Sequence, residues 1–79
     1  MAKGKPDPKY LRLRRVLTDK RIAAGMSQTD LAALLGKPQS YVSKVEAGER
    51  GIDVVEFVQF VRAVGADPLR VLRLVLNEP

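Results

Sequence analysis

The sequence predicts an all-α domain built from five short helices. Apolar residues recur at helical spacing in five separate segments. Glycines stand where the first four segments should end, at Gly25, Gly36, Gly48 and Gly65. Helix-start signatures precede four of the segments, namely Asp7-Pro8, Ser27 with Asp30, Asp53 with Glu56, and Asp67-Pro68. Because a chain of 79 residues supports a single modest core, each helix has to contribute to it.

The first helix is expected to run from Pro8 to Ala24, with Gly25 ending it. Its apolar residues recur on one side, at Leu13, Val16, Leu17 and Ala24. Residues 1–7 contain two lysines, a glycine and a proline and have nothing to bury. They are expected to form a basic, flexible arm ahead of a helical domain spanning residues 8–77.

The second helix is expected to begin at Gln28, behind the capping pattern of Ser27 and Asp30. It should direct Leu31, Ala32 and Leu35 inward. Gly36 ends it, and only about three residues separate it from the next helical pattern, which predicts that the two helices cross at a steep angle.

The third helix, expected over Gln39 to Ala47, has two distinct faces. At about 100° per residue, one arc of roughly 140° holds what we term the polar face: Gln39, Ser40, Ser43, Lys44 and Ala47. The opposite arc holds Tyr41, Val42 and Val45, which should face the core, and Glu46 falls on the border. Amide, hydroxyl and ammonium groups suit base edges and phosphates, so nucleic acid is the first partner to consider.

The fourth helix should place one apolar face inward, made of Val54, Phe57, Phe60, Val61 and Val64. The fifth has a wider apolar arc of about 220°, with Leu69, Val71, Leu72, Leu74, Val75 and Leu76. That width predicts burial against a second copy of the chain, through Leu69, Leu72, Leu76 and their neighbours. The alternative is that the fifth helix lies in a groove and is wrapped on three sides.

Composition excludes several functions. The absence of Cys and His excludes the usual zinc sites, cysteine nucleophiles and histidine-based triads, so neither a metal nor a cofactor is predicted. No segment is long and apolar enough for a membrane span, and residues 1–9 lack the apolar part of a secretory signal, which predicts a cytoplasmic protein. Of the net charge of +5, residues 1–21 hold a surplus, with eight Lys and Arg against Asp7 and Asp19. The surplus indicates either a polyanionic partner or a solvated basic tail.

Two segments carry a family resemblance. The run from Arg21 to Gly36, RIAAGMSQTDLAALLG, followed by SYVSKVEAGE from Ser40, resembles the helix-turn-helix core of the Cro/C1-type repressors, also called the XRE family. The resemblance extends from about Leu13 to Leu72. It implies a compact five-helix, lambda-repressor-like domain that binds double-stranded operator DNA as a homodimer, with the third helix in the major groove.

The resemblance also implies roles for individual residues. By position, the candidates for base contact are Gln39, Ser40, Ser43 and Lys44. Gln28 matches a phosphate contact, and Arg21 with Glu46 matches a structural ion pair. Lys37 and Arg50 lie in the turns flanking the third helix, where they contact phosphate or are simply solvated. Pro38 departs from the family pattern, since many relatives have a capping Ser or Thr there.

Three functions compete on this basis. The first is a sequence-specific DNA-binding transcriptional regulator. The second keeps the fold but makes the chain an antitoxin-like or adaptor protein that binds another protein through its fifth helix. The third is an enzyme using Ser40 and Lys44 as a dyad, which is disfavoured because nothing indicates an oxyanion site. The chain is therefore predicted not to be an enzyme.

Overall fold

The computed structural model describes residues 7–77, and within them it contains five α-helices and no strand. The helices are α1 (Pro8–Ala23), α2 (Gln28–Leu35), α3 (Gln39–Ala47), α4 (Val54–Ala63) and α5 (Pro68–Leu76). The predicted all-α, five-helix fold is confirmed. The expected arm lies outside the described residues apart from Asp7, which caps α1. None of the helices formed by residues 7–77 is long and apolar enough to cross a membrane.

The predicted helix starts are formed by side-chain caps. The Asp7 carboxylate accepts a hydrogen bond from the Lys9 N–H at 2.7 Å, and Asp67 caps α5 in the same way. Both capping boxes are complete, with side chain and backbone bonded reciprocally in the pairs Ser27–Asp30 and Asp53–Glu56. Only α3 begins without a side-chain cap, because Pro38 occupies the capping position.

One core joins the five helices. Seven of its side chains are less than 2% exposed, and every helix contributes: Leu17, Leu31, Val42, Val45, Phe60, Val61 and Val71. Within this arrangement α3 packs against α2 and α1, while α5 packs against α1 and α4. The core therefore holds one side of α3 and leaves its other side in solvent.

Two expectations from the periodicity are wrong. Ala24 lies just past the end of α1 and is exposed, and Val54 is 78% exposed although it shares an arc with Phe60 and Val61. Val54 is the first residue of α4, which begins beyond the edge of the core, so its position on the helix does not bury it. The alternative considered for α5, that its own chain wraps it on three sides, does not hold, because its leucines are exposed.

The α5 helix buries only a narrow part of its apolar arc. Val71 and Val75 face the core, whereas the four leucines of α5 are 37% to 69% exposed: Leu69, Leu72, Leu74 and Leu76. Between α5 and the start of α4 lies a groove of about 340 Å³, lined almost entirely by apolar side chains that include Val54, Phe57, Leu69 and Leu72. We call this feature the α4–α5 groove.

Candidate nucleic-acid interface

The turn between α2 and α3 depends on Gly36. Its φ of 66° lies in the left-handed region, where a side chain is strained and glycine is not. Two backbone hydrogen bonds close the end of α2, from the Gly36 N–H to the Ala33 carbonyl at 3.2 Å and from the Lys37 N–H to the Ala32 carbonyl at 3.0 Å. The chain thus reverses quickly enough to set α3 across α2.

The two faces of α3 lie as the angular pattern predicts. Tyr41, Val42 and Val45 are buried, with 8%, 0% and 1% exposure. The polar face points outward, with Ser43 partly exposed and the others exposed: Gln39, Ser40, Lys44 and Ala47. The structure therefore brings the four predicted base-contacting side chains onto one solvent-facing surface. Their contacts with bases remain predictions.

A chain of side-chain hydrogen bonds connects the polar face to α1. Gln39 Nε2 donates to Gln28 Oε1 at 2.7 Å, and Gln28 Nε2 donates to Glu46 Oε1 at 3.0 Å. Arg21 then donates to both Glu46 oxygens, from Nε at 2.7 Å and from Nη2 at 3.0 Å. The Arg21 Nη1 group also donates to the Met26 carbonyl at 2.7 Å, which holds the loop between α1 and α2.

This chain leaves Gln39 able to pair with a base. Its Nε2 group has two N–H donors and uses one for Gln28, and its Oε1 accepts no hydrogen bond from residues 7–77. One donor and one acceptor are what bidentate pairing with adenine requires. The bond to Gln28 was missed by the sequence reasoning, although both residues open their helices on either side of a tight turn.

The Arg21–Glu46 pair, which the resemblance implies, is largely shielded from solvent. The two side chains are 11% and 6% exposed, and the shortest distance between Arg21 and Glu46 is 2.7 Å. The hydrogen bond to Glu46 raises the pKa of Arg21. Because both ends also bond to neutral partners, the pair fixes α1, α2 and α3 relative to one another.

A second cluster surrounds Tyr41 on the other side of α3. Lys37 Nζ lies 5.4 Å from the centre of the Tyr41 ring and Arg50 Cζ lies 4.7 Å from it. Arg50 also forms an ion pair with Glu56 at 3.0 Å, and its hydrogen bonds lower the pKa of that carboxyl. Burial raises the pKa of the Tyr41 phenol. Sequence reasoning placed Lys37 and Arg50 in the turns flanking α3 but did not predict that both lie over the Tyr41 ring.

Part of the basic surplus in residues 1–21 serves the fold. Arg12 Nη1 donates to the Val75 carbonyl at 3.1 Å, near the end of α5. The Arg14 guanidinium lies where a side chain on Gly48 would have to be, against the end of α3. Together with Arg21, these residues show that part of the positive charge near the N-terminus stabilises the fold. That part is therefore neither a solvated tail nor free to bind a polyanion.

A pair of short helices joined by a tight turn, with one face of the second helix left exposed, defines a helix-turn-helix domain. A helix-turn-helix family model matches residues 17–69. An XRE-family like protein from Pseudomonas syringae pv. tomato str. DC3000 is 47% identical, with a TM-score of 0.83 over 90% of this chain and 88% of that one. No curated protein matches the chain in sequence.

Two other solved structures are similar. The restriction-modification controller protein C.AhdI from Aeromonas hydrophila is 32% identical, with a TM-score of 0.71 over 78% of this chain and 94% of that one. The clp gene regulator ClgR from C. glutamicum has a TM-score of 0.79 over 92% of this chain and 94% of that one, and at 22% identity it supports the fold alone. The chain belongs to the Cro/C1-type (XRE) family of helix-turn-helix proteins, and its class is that of DNA-binding transcriptional regulators.

Proposed function

We propose that this protein binds a palindromic operator as a homodimer, with α3 of each copy in the major groove. The observation that carries the proposal is the division of α3 into a buried apolar side and an exposed polar face whose first residue is held by Gln28. Because Gln39 is already held, it does not have to be ordered on binding, which lowers the cost of its contact.

The polar face supplies the base contacts in this proposal. Gln39 pairs with adenine, Lys44 donates to guanine O6 and N7, and Ser40 and Ser43 accept or donate according to the base opposite. Gln28, Lys37 and Arg50 contact phosphates and fix the register of the helix in the groove. The three lie on segments that border α3, as backbone contacts require.

The second copy packs on the α4–α5 groove and the exposed leucines of α5. Leu69 is 69% exposed and Leu72 is 43% exposed beside that groove, and contiguous apolar surface of this kind marks an interaction site. Pairing two copies places two recognition helices about one helical turn apart, roughly 34 Å.

The alternative is that α5 binds a different protein, as an antitoxin-like or adaptor protein would. The same exposed leucines fit that function. The polar face favours DNA, because a protein adaptor has no need to keep Gln, Ser and Lys on the exposed side of α3. Ser40 and Lys44 belong to that face, so we assign them to DNA rather than to catalysis, and we place the protein in the cytoplasm.

Selection of binding sites from random duplex DNA tests the proposal. We expect enrichment of a palindrome with half-sites about 10 base pairs apart, bound by two chains as measured by the mass of the complex. Affinity for the selected duplex should fall with salt, with a log-log slope of about −0.9 per phosphate neutralised. Absence of any enriched sequence, or a complex insensitive to salt, would contradict the proposal.

A further inference from the structure

Two cations from opposite ends of α3 meet on one aromatic ring. Lys37 precedes the helix and Arg50 follows it, yet both lie within 5.4 Å of the Tyr41 ring centre. A cation over an aromatic face is attracted by the negative charge of the ring face. Tyr41 is only 8% exposed, so the ring is a fixed platform rather than a mobile side chain.

The guanidinium of Arg50 uses only part of its donor capacity. Nη1 donates to the Gly51 carbonyl at 2.8 Å and to Glu56 Oε1 at 3.3 Å, and Nη2 donates to Glu56 Oε2 at 3.0 Å. Of the five N–H donors, the Nε–H and the second Nη2–H have no acceptor within residues 7–77. These two donors lie along the same edge of the planar group, which is the fork that matches two oxygens of a phosphate.

Glu56 is itself held in place. Besides accepting from Arg50, Oε1 accepts from the Asp53 N–H at 3.0 Å in the capping box that starts α4. The Arg50 guanidinium is thus held by a carboxylate that is fixed to a helix, and by the Tyr41 ring beneath it. Its free edge has a defined direction before any ligand binds.

The cluster lies beside the polar face of α3. Around the helix axis, Tyr41 lies about 60° beyond Lys44, at one border of the polar face. Glu46 and its partner Gln28 lie at the other border. A recognition helix in the major groove has phosphates of both strands beside it, because the groove is only about 12 Å wide. Glu56 and Asp53 both act on Arg50, so the cluster would attract a phosphate through the free donors of Arg50 and through Lys37 rather than through a surplus of positive charge.

We propose that Lys37 and Arg50 form one phosphate-binding clamp on the Tyr41 ring, with Glu56 as the positioning residue that turns the free edge of Arg50 toward the DNA backbone. The clamp rests on the proposed DNA-binding function and adds two residues to it, Tyr41 and Glu56. It contacts the backbone, so it contributes affinity without sequence preference.

The first test is Arg50→Lys, which keeps the charge but removes the fork. Fluorescence anisotropy should show binding about tenfold weaker on both the selected duplex and a random duplex, because the lost contact is to phosphate. Arg62→Lys, an exposed arginine of α4 outside the cluster, is the matched control and should bind as the wild type does. Binding by Arg50→Lys equal to that control would overturn the clamp.

The second test is Glu56→Gln, because two explanations predict opposite changes in its DNA affinity. Glutamine serves at the third position of a capping box, so α4 should still form. Simple electrostatics predicts tighter DNA binding, since a negative charge is removed. Loss of positioning predicts the opposite, and we expect binding roughly threefold weaker because the Arg50 donors are no longer preorganised. Glu49→Gln makes the same charge change at an exposed position in the loop that precedes α4 and should not weaken binding.

Tighter binding by Glu56→Gln, or equal effects of Glu56→Gln and Glu49→Gln, would overturn the positioning role. In the Arg50→Lys background, Glu56→Gln should no longer weaken binding. Failure of the wild-type protein to bind any duplex would instead overturn the proposed function, and the clamp with it. Thermal melts of each variant confirm that the fold persists.

Discussion

Replacing Leu31 by alanine should reduce the free energy of unfolding by about 2–5 kcal/mol. The Leu31 side chain is fully buried, where α2 contributes it to the core shared with α1, α3 and α4. Truncation removes apolar contacts and leaves a cavity that the surrounding helices fill only in part. Because a domain of this size has only roughly 4–12 kcal/mol of total stability, the loss should be visible as a large shift of the urea midpoint.

Leu34→Ala is the matched control for this prediction. It makes the same substitution in the same helix, but Leu34 is 62% exposed. We expect a change within about 0.5 kcal/mol, as for surface substitutions generally. Urea unfolding followed by far-ultraviolet circular dichroism measures both. Similar losses for the two variants would mean that α2 does not pack through the face described.

The second large effect is expected for Glu46→Ala, at about 3 kcal/mol of lost stability. The substitution leaves Arg21 charged, only 11% exposed and without its carboxylate. It also removes the acceptor of Gln28, so the hydrogen-bond chain to Gln39 loses its anchor.

A double variant separates two effects of losing Glu46: the unpaired charge of Arg21, which lowers stability, and the lost hydrogen bond that positions Gln28. Arg21→Met with Glu46→Leu removes both charges and fills much of the same space, so its stability should recover most of the loss, as for other buried pairs replaced by apolar residues. The DNA affinity of the double variant should stay as low as that of Glu46→Ala, because neither variant has a carboxylate that accepts the hydrogen bond of Gln28. A single Glu46→Ala variant as stable as the wild type would show that the pair does not hold the helices together.

The sequence was most informative about features set within a few residues. Capping by Ser27 with Asp30, or by Asp67 before Pro68, depends on spacing along the chain and could be predicted directly. The burial of Tyr41, Val42 and Val45 followed from angular position alone, because α3 packs against its neighbours along its length.

Contacts between distant segments could not be predicted in this way. Angular position put Val54 on the same face as Phe60, but burial also depends on where the helix begins relative to the core. The bond from Gln39 to Gln28 and the position of Arg50 over Tyr41 depend on the crossing angle of the helices and on loop conformation. Neither quantity is determined by spacing along the chain.

The central claim is that the polar face of α3 reads DNA sequence, and Gln39→Ala tests it most directly. Affinity should be measured by anisotropy on the selected duplex and on a random duplex at the same salt concentration. Gln59→Ala, an exposed glutamine of α4, serves as the control. We predict a loss of about 1–3 kcal/mol on the selected duplex and little change on the random one. Equal losses on the two duplexes would contradict the claim, because Gln39 would then contribute to binding without reading a base.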